Sequence, residues 1–253
     1  MAQKARYTDP AQRRLYPLST FNSWCARPLS RALAPVMTPN QVSLLSLAVS
    51  VAGLVLVAQG PWRTAVVGAL AVHLGLLLDH ADGQVARRRG MGSTWGMYLD
   101  MVIDRIVEIG IVLALLGATW AAPDWITSWS PLSAGRVAWI AVATVGAMML
   151  WRFLNAYNDV LYLRSHLLSA GRLPDPEARP KGVAKRPLVP WVFNRDWVLM
   201  IWLVGVALTQ LQATLLLLFG LHVLSCLEKI IVFRVRHKHP EGDATRVLGK
   251  DYH

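Results

Sequence analysis

Apolar residues crowd into long blocks along this chain, and charged residues crowd into the gaps between them. Blocks at roughly 41–59, 62–87, 94–117, 136–165, 192–209 and 212–235 approach or exceed the ~20 residues with which an α-helix crosses the hydrocarbon core of a bilayer. Six crossings place both ends of the chain on one side. The last two blocks are separated only by Thr209-Gln210-Leu211-Gln212, with no Gly or Pro to mark a turn. A single helix of about 40 residues would however run ~60 Å, twice the hydrocarbon thickness, so two crossings fit better. Ahead of the first block, residues 13–34 alternate Leu15, Leu18, Trp24, Cys25, Leu29 and Leu33 with arginines at loosely helical spacing. That spacing predicts an amphipathic helix lying in the headgroup plane, with an irregular basic arm broken by Pro17 and Pro28 as the alternative. Thr38-Pro39-Asn40 reads as a helix start, Thr38 capping and Pro39 in the first turn. The expected fold is all-α: a polytopic membrane protein of six transmembrane helices preceded by an amphipathic interfacial helix. It is expected to form one domain over 1–253, with an arm at 1–37, the membrane domain at 38–236 and a tail at 237–253.

Composition supports this pattern. Of 253 residues, 54% are hydrophobic and only 16% charged, which argues against a soluble core. The net charge of +11 does not predict a nucleic-acid partner, because the basic residues lie between or beside apolar blocks, where anionic headgroups meet them. Lys4, Arg6, Arg13, Arg14, Arg27 and Arg31, the turn Arg87-Arg88-Arg89, the loop from Arg164 to Arg186 and the tail from Arg234 all fall on one side. The other side carries Arg63 and Arg136 with Trp62, Trp120, Trp125, Trp129 and Trp139, an interfacial aromatic belt. The basic side is therefore expected to face the cytoplasm from a cell membrane. Cys25 and Cys226 show no metal or disulfide spacing, and the polar N-terminal stretch predicts no cleaved leader.

The chemistry sits in the second and third blocks. DHADGQVAR and GMYLDMVID contain Asp79, Asp82, Gly83, Ala86, Arg87, Gly96, Asp100 and Asp104. Gly96, Asp100 and Asp104 are spaced by four and share a helix face, while Asp79 and Asp82 are spaced by three on the preceding helix. A short link through Gly90 and Gly92 makes the two helices antiparallel neighbours, with Asp79 and Asp100 at similar depth. Four carboxylates converging in an apolar setting repel one another unless cations neutralise them. Hard oxygen ligands suit Mg²⁺ or Mn²⁺, and their number leaves room for two ions. Gly83 and Ala86 leave one face without bulk, which admits a ligand or, on the plainer reading, a packed helix.

The run from Asp79 to Asp104 resembles the signature of the CDP-alcohol phosphotransferase (CDP-alcohol phosphatidyltransferase) family, with every defining position filled and every gap of the family length. The six-span layout, the amphipathic helix and the TPN start are also similar to that family. The resemblance implies a homodimeric integral membrane enzyme of phospholipid biosynthesis that binds a CDP-alcohol donor and divalent metal in a cytoplasm-facing cavity and transfers a substituted phosphate group to a hydroxyl acceptor, releasing CMP. It implies that Asp79, Asp82, Asp100 and Asp104 form the metal site, with Asp104 also the general base. Gly83, Ala86 and Gly96 would shape the nucleotide pocket, Arg87 would touch the phosphates, and Asn40 would reach the nucleotide. The expected reaction is phosphatidyl transfer from CDP-diacylglycerol to a phosphorylated polyol such as inositol phosphate or glycerol phosphate. Transfer of a polar headgroup from its CDP derivative is the alternative.

Arg152 and Arg195 are the cations expected to bind the acceptor phosphate. The plainer readings pair Arg152 with Asp159 or Glu108 and let Arg195 snorkel to the interface. His80, His73 and His222 read as helix-packing residues, and Glu108 as either a cavity residue or a partner of Arg105. A transporter is the rival class, since intramembrane carboxylates mark those too. It lacks here the Gly/Pro-broken spans in two matching halves that such folds carry.

Overall fold

The structure, a computed structural model, describes residues 17–59, 61–121, 132–170 and 195–236. Every regular element among them is helical: α1 (Pro17–Leu33), α2 (Pro39–Gln59), α3 (Trp62–Arg89), α4 (Thr94–Ala121), α5 (Ala134–Ala170), α6 (Arg195–Ala207) and α7 (Leu211–Arg236). Four stretches are long and apolar enough to cross a membrane, namely Pro39–Gln59, Trp62–Arg89, Gly135–Tyr157 within α5 and Leu211–Ile231 within α7, which marks a membrane protein. The third and fifth crossings expected from the sequence are not among these four. α4 is long enough but carries Asp100, Asp104, Arg105 and Glu108, and the described part of α6 is only 13 residues.

Local sequence sets the helix ends. Thr38 and Gln41 form a reciprocal cap, each side chain bonding the other's backbone N–H, which starts α2 as the Thr-Pro-Asn pattern predicts. α3 ends at Gly90, whose φ of 66° is the left-handed conformation that closes a helix, with its N–H on the Ala86 carbonyl. Ser93 then caps α4 by accepting the Gly96 N–H at 3.0 Å. The break between α6 and α7 uses no glycine. Thr209 itself takes φ 62°, with Gln210 N–H bonded to the Gly205 carbonyl at 2.9 Å and Thr209 N–H to Val206 at 3.1 Å.

The chain divides into two compact units. The first comprises residues 1–145 and 190–219, and within it α2 is the central packing element, lying close against both α3 and α4. Small residues permit this: a Cβ on Gly53 would come within 2.5 Å of the Gly68 carbonyl, and one on Gly110 within 2.5 Å of Leu54. Ser46 adds a hydrogen bond to the Gly75 carbonyl at 2.8 Å. α3 and α4 are joined by the short link at Gly90, but their closest packing partner is α2 rather than each other. In α1, whose predicted residues 13–16 lie outside the described ones, the buried stripe is Asn22, Ala26 and Ser30, while Phe21 and Trp24 are 55% and 61% exposed. The polar side of this helix faces the protein, and its aromatic side faces away. The second unit holds the rest of α5 and α7, where Trp151 meets His222 edge-on at 6.5 Å and the Cys226 thiol reaches the Ala147 carbonyl at 3.4 Å.

Candidate metal and substrate site

The C-terminal half of α3 and the N-terminal half of α4 bring three carboxylates together. One oxygen each from Asp79, Asp82 and Asp100 lies within 4.8 Å of the other two. Asp82 is buried and accepts a hydrogen bond from the Ser43 hydroxyl of α2, which fixes its carboxylate. Asp100 is exposed, so the cluster opens on that side. Asp79 Oδ1 is buried and has no hydrogen-bond partner among the described residues. An orphaned buried carboxylate oxygen is costly, and in a cluster of hard oxygen donors it fits a divalent cation such as Mg²⁺ or Mn²⁺.

Asp104 lies one helical turn beyond Asp100 and outside that trio, in an ion-pair network. Arg195 Nη1 bonds both Asp79 Oδ2, at 2.8 Å, and Asp104 Oδ1. Arg105 places Nη2 3.6 Å from the other Asp104 oxygen and bonds Glu108 through Nη1, the structural pair that the sequence offered as one reading of Glu108. Arg195 therefore does not snorkel: its side chain is 12% exposed, and it is the cation that joins the metal-type carboxylates to Asp104.

The residues expected to shape a nucleotide pocket are at the open end of the same helices. Arg87 lies over Gly83, its guanidinium 3.4 Å from where a Cβ would stand, and the Asn40 amide oxygen is 3.4 Å from the corresponding point on Gly96. A side chain at either glycine would crowd these polar groups. Ala86 adds only a methyl group on α3 and supplies the carbonyl that closes the helix. Arg152 belongs to the second unit, where its guanidinium lies 4.5 Å from the Trp151 ring centroid. The side chain of Asp159 is outside the described residues.

Sequence reasoning missed four contributors. Ser43 holds Asp82; Asp196, 3% exposed, accepts hydrogen bonds from Asn22 at 2.6 Å and pairs with His80 at 2.8 Å. Asp196 was findable, because a carboxylate inside an apolar helix is costly and it directly follows Arg195. Asn22 and Ser43 carried no comparable signal, being ordinary polar residues whose partners are remote in sequence.

The sequence profile of CDP-alcohol phosphatidyltransferase matches residues 36–209, the region that holds α2 to α6, with α1 and α7 outside it. The phosphatidylinositol phosphate synthase of Mycobacterium tuberculosis (strain ATCC 25618 / H37Rv) is 37% identical over 90 residues, covering 35% of this chain and 41% of that protein. The bifunctional IPC transferase and DIPP synthase of Aquifex aeolicus is 26% identical over 138 residues, 53% of this chain and 29% of that protein. The matched region thus spans about two-fifths of the length of the curated synthase. In structure, the chain is similar to the Mycobacterium tuberculosis phosphatidylinositol phosphate synthase crystallised with CDP-DAG bound, with a TM-score of 0.55 and 22% identity over 81% of this chain and 91% of that one. At that identity the likeness is one of fold.

Proposed function

Given that the chain belongs to the CDP-alcohol phosphatidyltransferase family, we propose that it transfers a phosphatidyl group from CDP-diacylglycerol to the hydroxyl of a phosphorylated polyol, inositol phosphate or glycerol phosphate, and releases CMP. The observation that carries this reading is the convergence of Asp79, Asp82 and Asp100, with Arg195 bridging that cluster to Asp104. Four anionic groups around one buried arginine make a site for a phosphate-rich ligand and its counter-cations, not a packing core.

Asp79, Asp82 and Asp100, with Asp104 at the edge, would hold one or two Mg²⁺ or Mn²⁺ ions, which when bound supply charge neutralisation of the pyrophosphate and stabilise CMP as a leaving group. Asn40, Gly83, Ala86, Arg87 and Gly96 receive the nucleotide at the exposed end. Arg195 takes the acceptor's phosphate. A phosphate dianion competes strongly for the guanidinium that now holds Asp104, so acceptor binding frees that carboxylate beside the acceptor hydroxyl. Asp104 then takes the hydroxyl proton as the acceptor oxygen bonds to the phosphorus bearing the diacylglycerol and the bond from that phosphorus to CMP breaks.

Six crossings with a basic cytoplasmic side follow from the charge asymmetry, with α4 and α6 as the two further spans. α1, whose aromatic face points away from the protein, lies in the headgroup plane, and the functional unit is a homodimer as in the family the sequence resembles. The test is a product screen. Purified protein in vesicles is given CDP-diacylglycerol, Mg²⁺ and in turn inositol phosphate, glycerol phosphate, inositol and serine, and lipids and CMP are read by mass spectrometry. The expected outcome is CMP together with one new phospholipid from a phosphorylated polyol. Transfer confined to uncharged acceptors would overturn the acceptor class, and no CMP from any combination would overturn the activity.

A further inference from the structure

Arg195 and Asp196 are consecutive in the first turn of α6, and Asp79 and His80 are consecutive on α3. A helix turns ~100° per residue, so each pair sends its two side chains in different directions. The outcome is two bridges between the same two helices. One, Arg195 to Asp79 at 2.8 Å, is in the carboxylate site; the other, Asp196 to His80 at 2.8 Å, lies behind it.

The rear bridge is tied to a third helix. The Asp196 oxygen that meets His80 also accepts from Asn22 Nδ2 of α1 at 2.6 Å, and His80 Nδ1 stands 3.3 Å from the Ser23 hydroxyl. One turn along α3, Gln84 donates to the Ser23 carbonyl at 2.8 Å and accepts from Ser30 at 2.9 Å. Asn22 and Ser30 are fully buried. A buried carboxylate costs stability unless its bonds are fully met, so Asp196 is an expensive way merely to attach α6. Its location supplies a different reason. Asp196 directly follows Arg195 on α6, so its bonds to α1 and α3 fix the rotation of the turn that carries the guanidinium. A guanidinium on a turn free to rotate would bridge Asp79 and Asp104 poorly.

We propose that Asp196, held from α1 by Asn22 and from α3 by His80, is a positioning residue that sets the orientation of Arg195, so that α1 is a working part of the acceptor end of the site. This rests on the phosphate-binding role given to Arg195 above. If Asp196 acts through Arg195, removing it raises the acceptor requirement and leaves donor use alone, and it does nothing further once Arg195 is gone.

The experiment is a double-mutant cycle on the full-length protein with Asp196→Ala, Arg195→Ala and the double variant, reading apparent KM for acceptor and for CDP-diacylglycerol separately. Asp196→Ala is expected to raise the acceptor KM by roughly three- to tenfold, the scale of one lost hydrogen bond, with the donor KM unchanged. The double variant is expected to match Arg195→Ala alone. Asn22→Ala, which leaves every charge in place, is expected to shift acceptor KM in the same direction by a smaller factor, and serves if Asp196→Ala does not fold. An unchanged acceptor KM, equal loss of donor and acceptor affinity, or multiplicative effects in the double variant would overturn the proposal. The same cycle read as thermal unfolding in detergent needs no turnover, and so separates failure of this inference from failure of the proposed activity. Positioning requires Arg195→Ala to cost less stability when Asp196 is already absent, and simple additivity overturns it.

Discussion

The two halves of α3 are held by opposite means. From Trp62 to Gly75 the helix lies against α2 through glycines, so close that a single added methyl at Gly53 or Gly68 would strike the other backbone. From Leu76 to Arg89 the same helix carries Asp79, His80, Asp82 and Gln84, and its neighbours reach it through hydrogen bonds and ion pairs from α1, α2 and α6. The first half gains dispersion contact and asks nothing of charge; the second gathers like charges that oppose folding and tolerates them for chemistry. Stability and activity should accordingly separate along one helix.

The largest effect on activity is expected at Asp104→Asn on α4, which Arg195 ties to Asp79 in the second half of α3. Loss of the base should lower transfer by about 10²–10⁴ while CDP-donor binding persists, because the proton it takes belongs to the acceptor. Parallel measurement of nucleotide binding and of product formation checks this; equal loss of both would make Asp104 a ligand instead. In the first half of α3, Gly68→Leu should act on folding alone. Overpacking a tight seam costs ~1–3 kcal/mol or more, so thermal stability falls, while kcat per folded molecule stays near that of the wild type. Should this variant keep its stability but lose turnover, the division of α3 would be wrong. The smallest effect is expected at Ser43→Ala, which removes one hydrogen bond to Asp82 and should change turnover by a few-fold, about 0.5–1.5 kcal/mol. Its signature is a raised Mg²⁺ or Mn²⁺ requirement in the activity titration.

The same contrast explains what could be read from the sequence. Helix starts at Thr38 and Ser93 and the stop at Gly90 are local devices, and the pattern 79, 82, 100, 104 is fixed by helical periodicity, so both are legible along one dimension. The turn between α6 and α7 fell where chain length required it, yet its mechanism was hidden, since Thr209 takes a conformation normally left to glycine. Arg195 was singled out by position alone; its bond to Asp104 joins residues far apart in sequence and leaves no periodic trace. α1 was expected as a helix from its spacing, but its Asn22, Ala26 and Ser30 stripe gave no sign that this face would be the buried one. Polar bonds between distant helices depend on packing, and packing is what a single sequence conceals.

The central claim is that Asp79, Asp82 and Asp100 form a divalent-metal site serving a CDP-linked donor. The most direct measurement is CMP release from CDP-diacylglycerol, with the acceptor found in the product screen, as Mg²⁺ or Mn²⁺ is titrated into wild type and Asp82→Asn after chelation. The account predicts saturable, metal-dependent release by the wild type and none by the variant at any metal concentration, with both proteins folded by thermal unfolding in detergent. Release that survives chelation in the wild type, or that persists at wild-type rate in Asp82→Asn, would contradict it.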